Sequence, residues 1–454
     1  MKKIIVTAIL CLSIFCFLNV NSQNIIRRGF IGLKTSDITD SIAKTLGLKN
    51  NKGVLVTEVL ASSTAASLKM QANDFVVKVN DKSVRNKKEY VAVTSKLRTG
   101  EEINILFTRK GSEMNVKGKL NELPLETSDK YDIIYDEVPF AGGYLRTITS
   151  KPKGNGPFKT IFFIQGYTCV SMDNLGKHPY GQLFDKLTEK GYVVMRSEKP
   201  GMGDNLNTPD CDQIGFTKEV DAFETAYKKL KSYKFVDTSN IIIFGHSLGG
   251  IEAPILAKDF KPKGVIVIGT TAITWMEYLI QMFRFQNIIQ GADYVENEEM
   301  IHQMIPLLND YLILKKTPKE LAQNANYKKR MTEYMEYYGG DQLWSRHYTY
   351  WQQMQDLNMP LVWKNVNSYT LVVRGEGDFE AFSTQDHQII CDMVNHYHPG
   401  KGTFMLVPNM DHGFAKSKTP AESVANAKIK GYYYNNFNEE VIEIIDKWIR
   451  GTMK

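Results

Sequence analysis

The chain has 454 residues, a formal net charge of +6, 43% hydrophobic residues and 23% charged residues. That length allows two or three domains at roughly 150 residues each and supplies apolar material for sizeable cores, which excludes disordered and fibrous classes. Two of the positive charges are Lys2 and Lys3 at the N-terminus, and the remaining excess is too mild to imply nucleic acid as a partner.

Residues 1–22 have a basic start, an apolar run over 4–18 and a polar end over 19–22. This is the pattern of a secretory leader, with cleavage expected near Ser22. The apolar run is too short for a good membrane span, and no later stretch is long enough. The expectation is an exported chain, periplasmic or secreted, without a transmembrane segment in its mature form. Cys11 and Cys16 lie inside the leader and lack the preceding small residues of a lipid-attachment site. Cys169, Cys211 and Cys391 remain, so an oxidising compartment permits one disulfide and leaves at least one free thiol.

Residues 28–120 carry a pattern of their own. Strands are predicted over 53–60, 74–80 and 103–109, a helix over 86–97, and turns at Asn80-Asp81 and Lys110-Gly111. Nearly the whole segment resembles a bacterial-type PDZ domain, a small α+β unit. Gly29-Phe30-Ile31-Gly32-Leu33 resembles its carboxylate-binding loop, Ser63-Thr64-Ala65-Ala66 stands in place of Ser-Pro-Ala, and Asn73-Asp74 replaces Gly-Asp. The resemblance implies that the amides of Phe30, Ile31, Gly32 and Leu33 hold a peptide C-terminus while the peptide adds as a strand. A module that only packs on, or positions, a second domain fits the same residues.

Residues 121–130 are polar with one proline and read as a linker. From 131 onward, two antiparallel strands are expected over 131–149, followed by apolar strands at 159–164, 192–196, 240–244, 264–269, 369–374 and 402–407. Helical periodicity over 179–190, 217–231, 250–258 and 439–450 predicts a doubly wound, mostly parallel α/β sheet.

Gly245-His246-Ser247-Leu248-Gly249 follows one of these strands directly and precedes a predicted helix, the setting of a G-x-S-x-G nucleophile elbow. An acidic candidate, Asp378, follows the strand at 369–374, and His412 follows the strand at 402–407. The chain order Ser, Asp, His resembles the α/β-hydrolase superfamily from about residue 127 to 454. By that resemblance Ser247 is the nucleophile, His412 its base, and Asp378 the group that orients His412, with Glu376 and Asp386 as rival acids. The oxyanion donors it implies are the Leu248 N–H and the Tyr167 N–H, the latter in Gln165-Gly166-Tyr167 where the family has His-Gly. Cys169 and Cys211 both fall in loops expected at the catalytic edge, and either a Cys169–Cys211 disulfide or two free thiols is compatible with that placement.

Residues 271–367 separate two core strands and are rich in Met, Trp and Tyr, which predicts a helical cap over the serine. His246, next to the nucleophile, is expected to pack rather than react, His396 and His398 lack metal-ligand spacing, and no phosphate-binding loop is present, so no metal and no cofactor is expected. The function these features support best is an exported serine hydrolase acting on a carboxylic ester. A serine peptidase of the same fold is the alternative. An exopeptidase of that kind needs a carboxylate in the cap for a free amine, and Glu298-Glu299 is a candidate that reads first as a surface pair. A non-catalytic peptide-binding PDZ protein is a third reading, and retention of serine, acid, histidine and elbow glycines weighs against it.

Overall fold

The computed structural model describes residues 23–45, 47–48 and 50–453, so the expected leader lies outside the described residues. Among the described residues no helix is long and apolar enough to cross a membrane.

The N-terminal unit is an antiparallel sheet in the order Leu33–Ser36, Val54–Val59, Phe75–Val79, Glu102–Arg109 and Ser112–Lys119, with helix Lys87–Thr94 against it. Alternation puts Ile103, Ile105 and Phe107 on one face, where they pack with Val54, Val56, Val76 and Val79. Ser112–Lys119 was not among the predicted strands, because it is polar and mostly exposed. Its register comes from the turn at Lys110 and Gly111, whose φ values of +49° and +80° suit a tight hairpin whose twist matches the strands.

The second unit is built on eight strands: β1 (Tyr131–Phe140), β2 (Gly143–Pro152), β3 (Phe158–Ile164), β4 (Val193–Ser197), β5 (Val236–His246), β6 (Gly264–Ile268), β7 (Tyr369–Gly375) and β8 (Gly402–Val407). Their order across the sheet is β1-β2-β4-β3-β5-β6-β7-β8. All pairs from β4 to β8 are parallel, and β1 and β2 are antiparallel. Parallel strands are covered on both faces and therefore read as unbroken apolar runs. In β5, Ile241 and Ile243 join the core beneath helices Phe216–Leu230 and Gly249–Phe260, while Ile242 and Phe244 join the core beneath Pro179–Glu189 and Glu440–Thr452.

Helices Trp275–Ile289, Tyr294–Leu308, Ala325–Tyr334, Tyr348–Gln355 and Met359–Lys364, with a short hairpin at Gln342–Leu343 and Arg346–His347, make up the insert between β6 and β7. Its buried Met304, Met331, Trp351 and Trp363 belong to the same apolar cluster as the sheet face below. The insert thus extends the core instead of packing as a separate lid.

The two units are joined by buried charge. Arg27 is hydrogen-bonded to both Asp173 and Asp204, the Arg28 N–H donates to Asp204 at 2.9 Å, and Arg98 Nη2 donates to the Asn205 carbonyl at 2.9 Å. The stretch read as a linker is pinned down as well. Arg196 Nη2 holds both Glu126 oxygens at 2.6 Å, and Arg27 donates to the carbonyls of Leu123 and Pro124.

Candidate active site

Strand β5 ends at His246 and the next helix begins at Gly249, leaving Ser247 in the sharp turn between them at φ +56°. That left-handed conformation is costly for a residue with a Cβ, and it lifts the side chain off the backbone. The turn closes only because two neighbours lack side chains: a Cβ on Gly245 would lie 2.1 Å from the Gly249 carbonyl oxygen, and one on Gly249 would lie 2.3 Å from that of Ile164. The loop after β3 backs directly onto the serine, since a Cβ on Gly166 would meet Ser247 Oγ at 3.3 Å. Among the described residues, neither the Leu248 N–H nor the Tyr167 N–H has a hydrogen-bond partner.

His412 and Asp378 reach the same edge from the loops after β8 and β7. Asp378 Oδ2 lies 3.0 Å from His412 Nδ1, and its other oxygen accepts the N–H groups of Glu380 and Ala381 at 2.9 and 2.8 Å. Arg374 braces this acid loop through the carbonyls of Asp378, Ala381 and Phe382. Burial disfavours the charged carboxylate, but the His412 imidazole and the Ala381 amide outweigh it and hold the Asp378 pKa down at about 2. The rival acids are placed elsewhere: Glu376 accepts the Asn409 N–H, and Asp386 accepts the Thr271 and Ser383 hydroxyls.

Two further residues belong to this arrangement and were missed or undervalued in the sequence. His246 Nε2 is 2.8 Å from the His412 carbonyl oxygen and its Nδ1 is 2.7 Å from the Tyr180 hydroxyl, so it fixes the backbone that carries His412. Burial pushes its pKa down to about 3, which keeps it neutral. Glu380 presents a carboxylate oxygen 3.4 Å from His412 Nε2, the nitrogen that a base must turn toward the serine. Among the described residues no hydrogen bond joins Ser247 to His412, and Glu380 is the recorded contact at Nε2. Burial works against charge on His412, but Asp378 and Glu380 together push its pKa up to about 10. The signal for Glu380 was its position two residues after Asp378, where a tight turn brings both carboxylates to one ring.

Two chambers meet at the serine. One, of about 300 Å³, lies under the cap and is walled by Trp275, Tyr278, Met282, Trp344 and Trp351. The other, of about 350 Å³, runs past His178, Tyr180, Tyr433 and Tyr434. Tyr167, Ser247, Glu380 and His412 line both. Cys169 and Cys211 are joined as a disulfide, tying the loop after β3 to the segment after β4, and Cys391 is a buried free thiol.

Residues 29–120 match the PDZ domain family. The esterase EstD of Thermotoga maritima is 28% identical over 244 residues, covering 51% of this chain and 56% of that protein. A probable periplasmic serine endoprotease of the DegP-like type from Bartonella henselae is 27% identical over 108 residues, covering 24% of this chain and 21% of the relative. The chain thus spans about half the length of one of these curated relatives and about a fifth of the other. Among solved structures, Est1E of Butyrivibrio proteoclasticus with ferulic acid bound aligns with a TM-score of 0.44 at 15% identity, over 70% of this chain and 98% of that one. Residues 29–120 are a PDZ domain, and the strand order β1-β2-β4-β3-β5-β6-β7-β8 with its strand–elbow–helix turn at Ser247 is the α/β-hydrolase fold.

In the PDZ domain, Gly32 sits at φ +74°, and a Cβ there would strike the Ser63 Cβ at 2.1 Å, so the loop takes the tight course its glycine requires. The expected run of free amides is shorter than four, because the Phe30 N–H donates to the Asn121 carbonyl at 2.7 Å. Ile31 is buried. Leu33 begins a strand paired on one side only, which leaves an edge for an added strand. In the α/β-hydrolase cap, Glu298 is paired on the surface with Arg284 at 2.7 Å and is not among the chamber residues. No group of acidic, histidine or cysteine side chains able to hold a metal occurs among the described residues.

Proposed function

We propose that the chain is an exported serine hydrolase that cleaves carboxylic esters through an acyl-enzyme. Ser247 Oγ attacks the ester carbonyl while His412 Nε2 takes its proton, and the tetrahedral oxyanion is held by the Leu248 and Tyr167 N–H groups. Collapse breaks the bond to the alcohol, which leaves with the proton from His412. Water, deprotonated by the same imidazole, then releases the acid. Asp378 holds His412 in the tautomer that exposes Nε2 and stabilises the imidazolium.

The observation that carries this reading is the placement of Ser247 in a left-handed elbow, with the Asp378-bonded His412 lining the same cavity. The aromatic cap chamber favours an apolar group of ring size on one side of the scissile bond, and the second chamber admits a substituent on the other. Similarity to a protein named as an esterase over half of this chain points the same way. Export rests on the leader pattern and on the periplasmic naming of the DegP-like relatives. A peptidase of the same fold is the second reading, favoured by Glu380, whose carboxylate lines both chambers and suits a free amine, and by the PDZ domain as a site for peptide C-termini. Assay of the mature chain on unactivated alkyl esters and on peptides carrying the same acyl group decides between them. Turnover of the esters without cleavage of the peptides is expected, and cleavage of the peptides at a comparable rate overturns the ester assignment.

A further inference from the structure

A buried ionic cluster lies behind the loop after β3. Lys199, Glu219 and Arg346 are each fully shielded from solvent. Lys199 Nζ donates to Glu219 at 2.8 Å, and Arg346 Nη2 donates to the other oxygen of Glu219 at 2.6 Å. Burial pushes the pKa of Glu252, which faces the cluster from the helix after Ser247, well up. Glu219 is therefore the anion both cations share. Each cation also spends one donor on the loop: Lys199 Nζ lies 2.6 Å from the Gly166 carbonyl oxygen, and Arg346 Nη1 lies 2.6 Å from that of Tyr167.

These contacts have a geometric consequence. In a trans peptide the C=O and the following N–H point in opposite directions. Lys199, by holding the Gly166 carbonyl from inside the fold, turns the Tyr167 N–H outward toward the serine. Arg346 fixes the next peptide plane in the same way, and it belongs to the cap hairpin, so cap and loop share one anchor. We propose that Lys199, with Arg346 and Glu219, is a positioning residue that aims the Tyr167 N–H at the oxyanion by gripping the carbonyl of its own peptide bond. The inference rests on the ester-hydrolase reading.

The test compares Lys199→Met and Lys199→Gln with wild type in steady-state ester hydrolysis, in inhibition by a trifluoromethyl ketone that forms a tetrahedral adduct, and in thermal unfolding. Lys199→Met leaves Glu219 paired with Arg346, so no carboxylate is orphaned. Because loss of a whole oxyanion donor costs about 10²–10³ in kcat, a misaimed donor is expected to lower kcat by about 10–100-fold, with KM little changed and ketone affinity falling by the same factor. Lys199→Gln, which keeps a donor for the carbonyl without the charge, restores most of the loss. Unchanged kcat and ketone affinity in a Lys199→Met protein of lowered Tm overturn the inference, because the cluster is then structural only. Should Lys199→Met not fold, Lys199→Gln decides alone: near-wild-type kcat and ketone affinity support the inference, and losses as large as those expected of Met overturn it. A folded wild type that turns over no ester refutes the hydrolase reading itself, and the inference with it, a result distinct from a silent variant of an active enzyme.

Discussion

Replacing Glu380 by Gln removes the carboxylate that faces His412 Nε2 at 3.4 Å. At that distance two unit charges interact by about 1 kcal/mol in water and about 5 kcal/mol at an effective dielectric of 20. The Glu380 side chain is 45% exposed, so solvent screening puts the effect near the lower figure, which corresponds to about one pH unit. Asp378 and Glu380 together hold the His412 pKa up at about 10, and only the neutral imidazole can accept the serine proton. Loss of one carboxylate lowers that pKa, so the acidic limb of kcat/KM should move to lower pH by about one unit and activity at pH 7 should rise. The assay is the pH dependence of kcat/KM for a neutral ester, with Glu376→Gln as the control for removal of a nearby surface carboxylate. An acidic limb that stays in place, or moves upward, refutes the claim that Glu380 acts on His412.

Gly269→Ala should lower kcat at least tenfold with little change in KM, because its Cβ would lie 3.0 Å from His412 Nδ1 and 3.1 Å from Asp378 Oδ2 and would displace the pair by a few tenths of an ångström. Steady-state kinetics check this. The Cys169→Ser/Cys211→Ser pair opens a covalent loop of sequence separation 42, a loss of up to about 4 kcal/mol on the chain-entropy account, read as a lowered denaturant midpoint. Arg27→Ala removes the guanidinium hydrogen-bonded to both Asp173 and Asp204 but leaves Arg28 within 4 Å of each, and should cost about 1.5–3 kcal/mol at the junction of the two units. Limited proteolysis within 121–130 should then speed up markedly, whereas in wild type that stretch is held by Glu126 and Arg27.

What could be read from the chain and what could not divide along physical lines. Periodicity exposed the parallel core strands because burial on both faces demands unbroken apolar runs, as in β5 and β6. The Ser247 elbow was legible because its glycines answer to contacts a few residues away, Gly245 against Gly249. Ser112–Lys119 escaped because a solvated strand takes its place from pairing and a turn, neither of which leaves an apolar pattern. Glu380 and the Lys199, Glu219 and Arg346 cluster escaped for another reason. Arg346 is 127 residues from Glu219 and Lys199 is 20, Glu380 meets His412 from a different loop, and a charged residue in sequence reads as surface until burial is known. The cap was foreseen as aromatic and helical, but its merger with the main core depends on long-range packing that spacing does not encode.

The most direct test of the central claim is labelling of the mature chain with a fluorophosphonate, followed by peptide mass spectrometry to locate the adduct. The account predicts a single adduct on Ser247, lost in Ser247→Ala and strongly slowed in His412→Ala. A folded protein that takes no label, or takes it on another residue, contradicts the assignment of an activated serine to the elbow after β5.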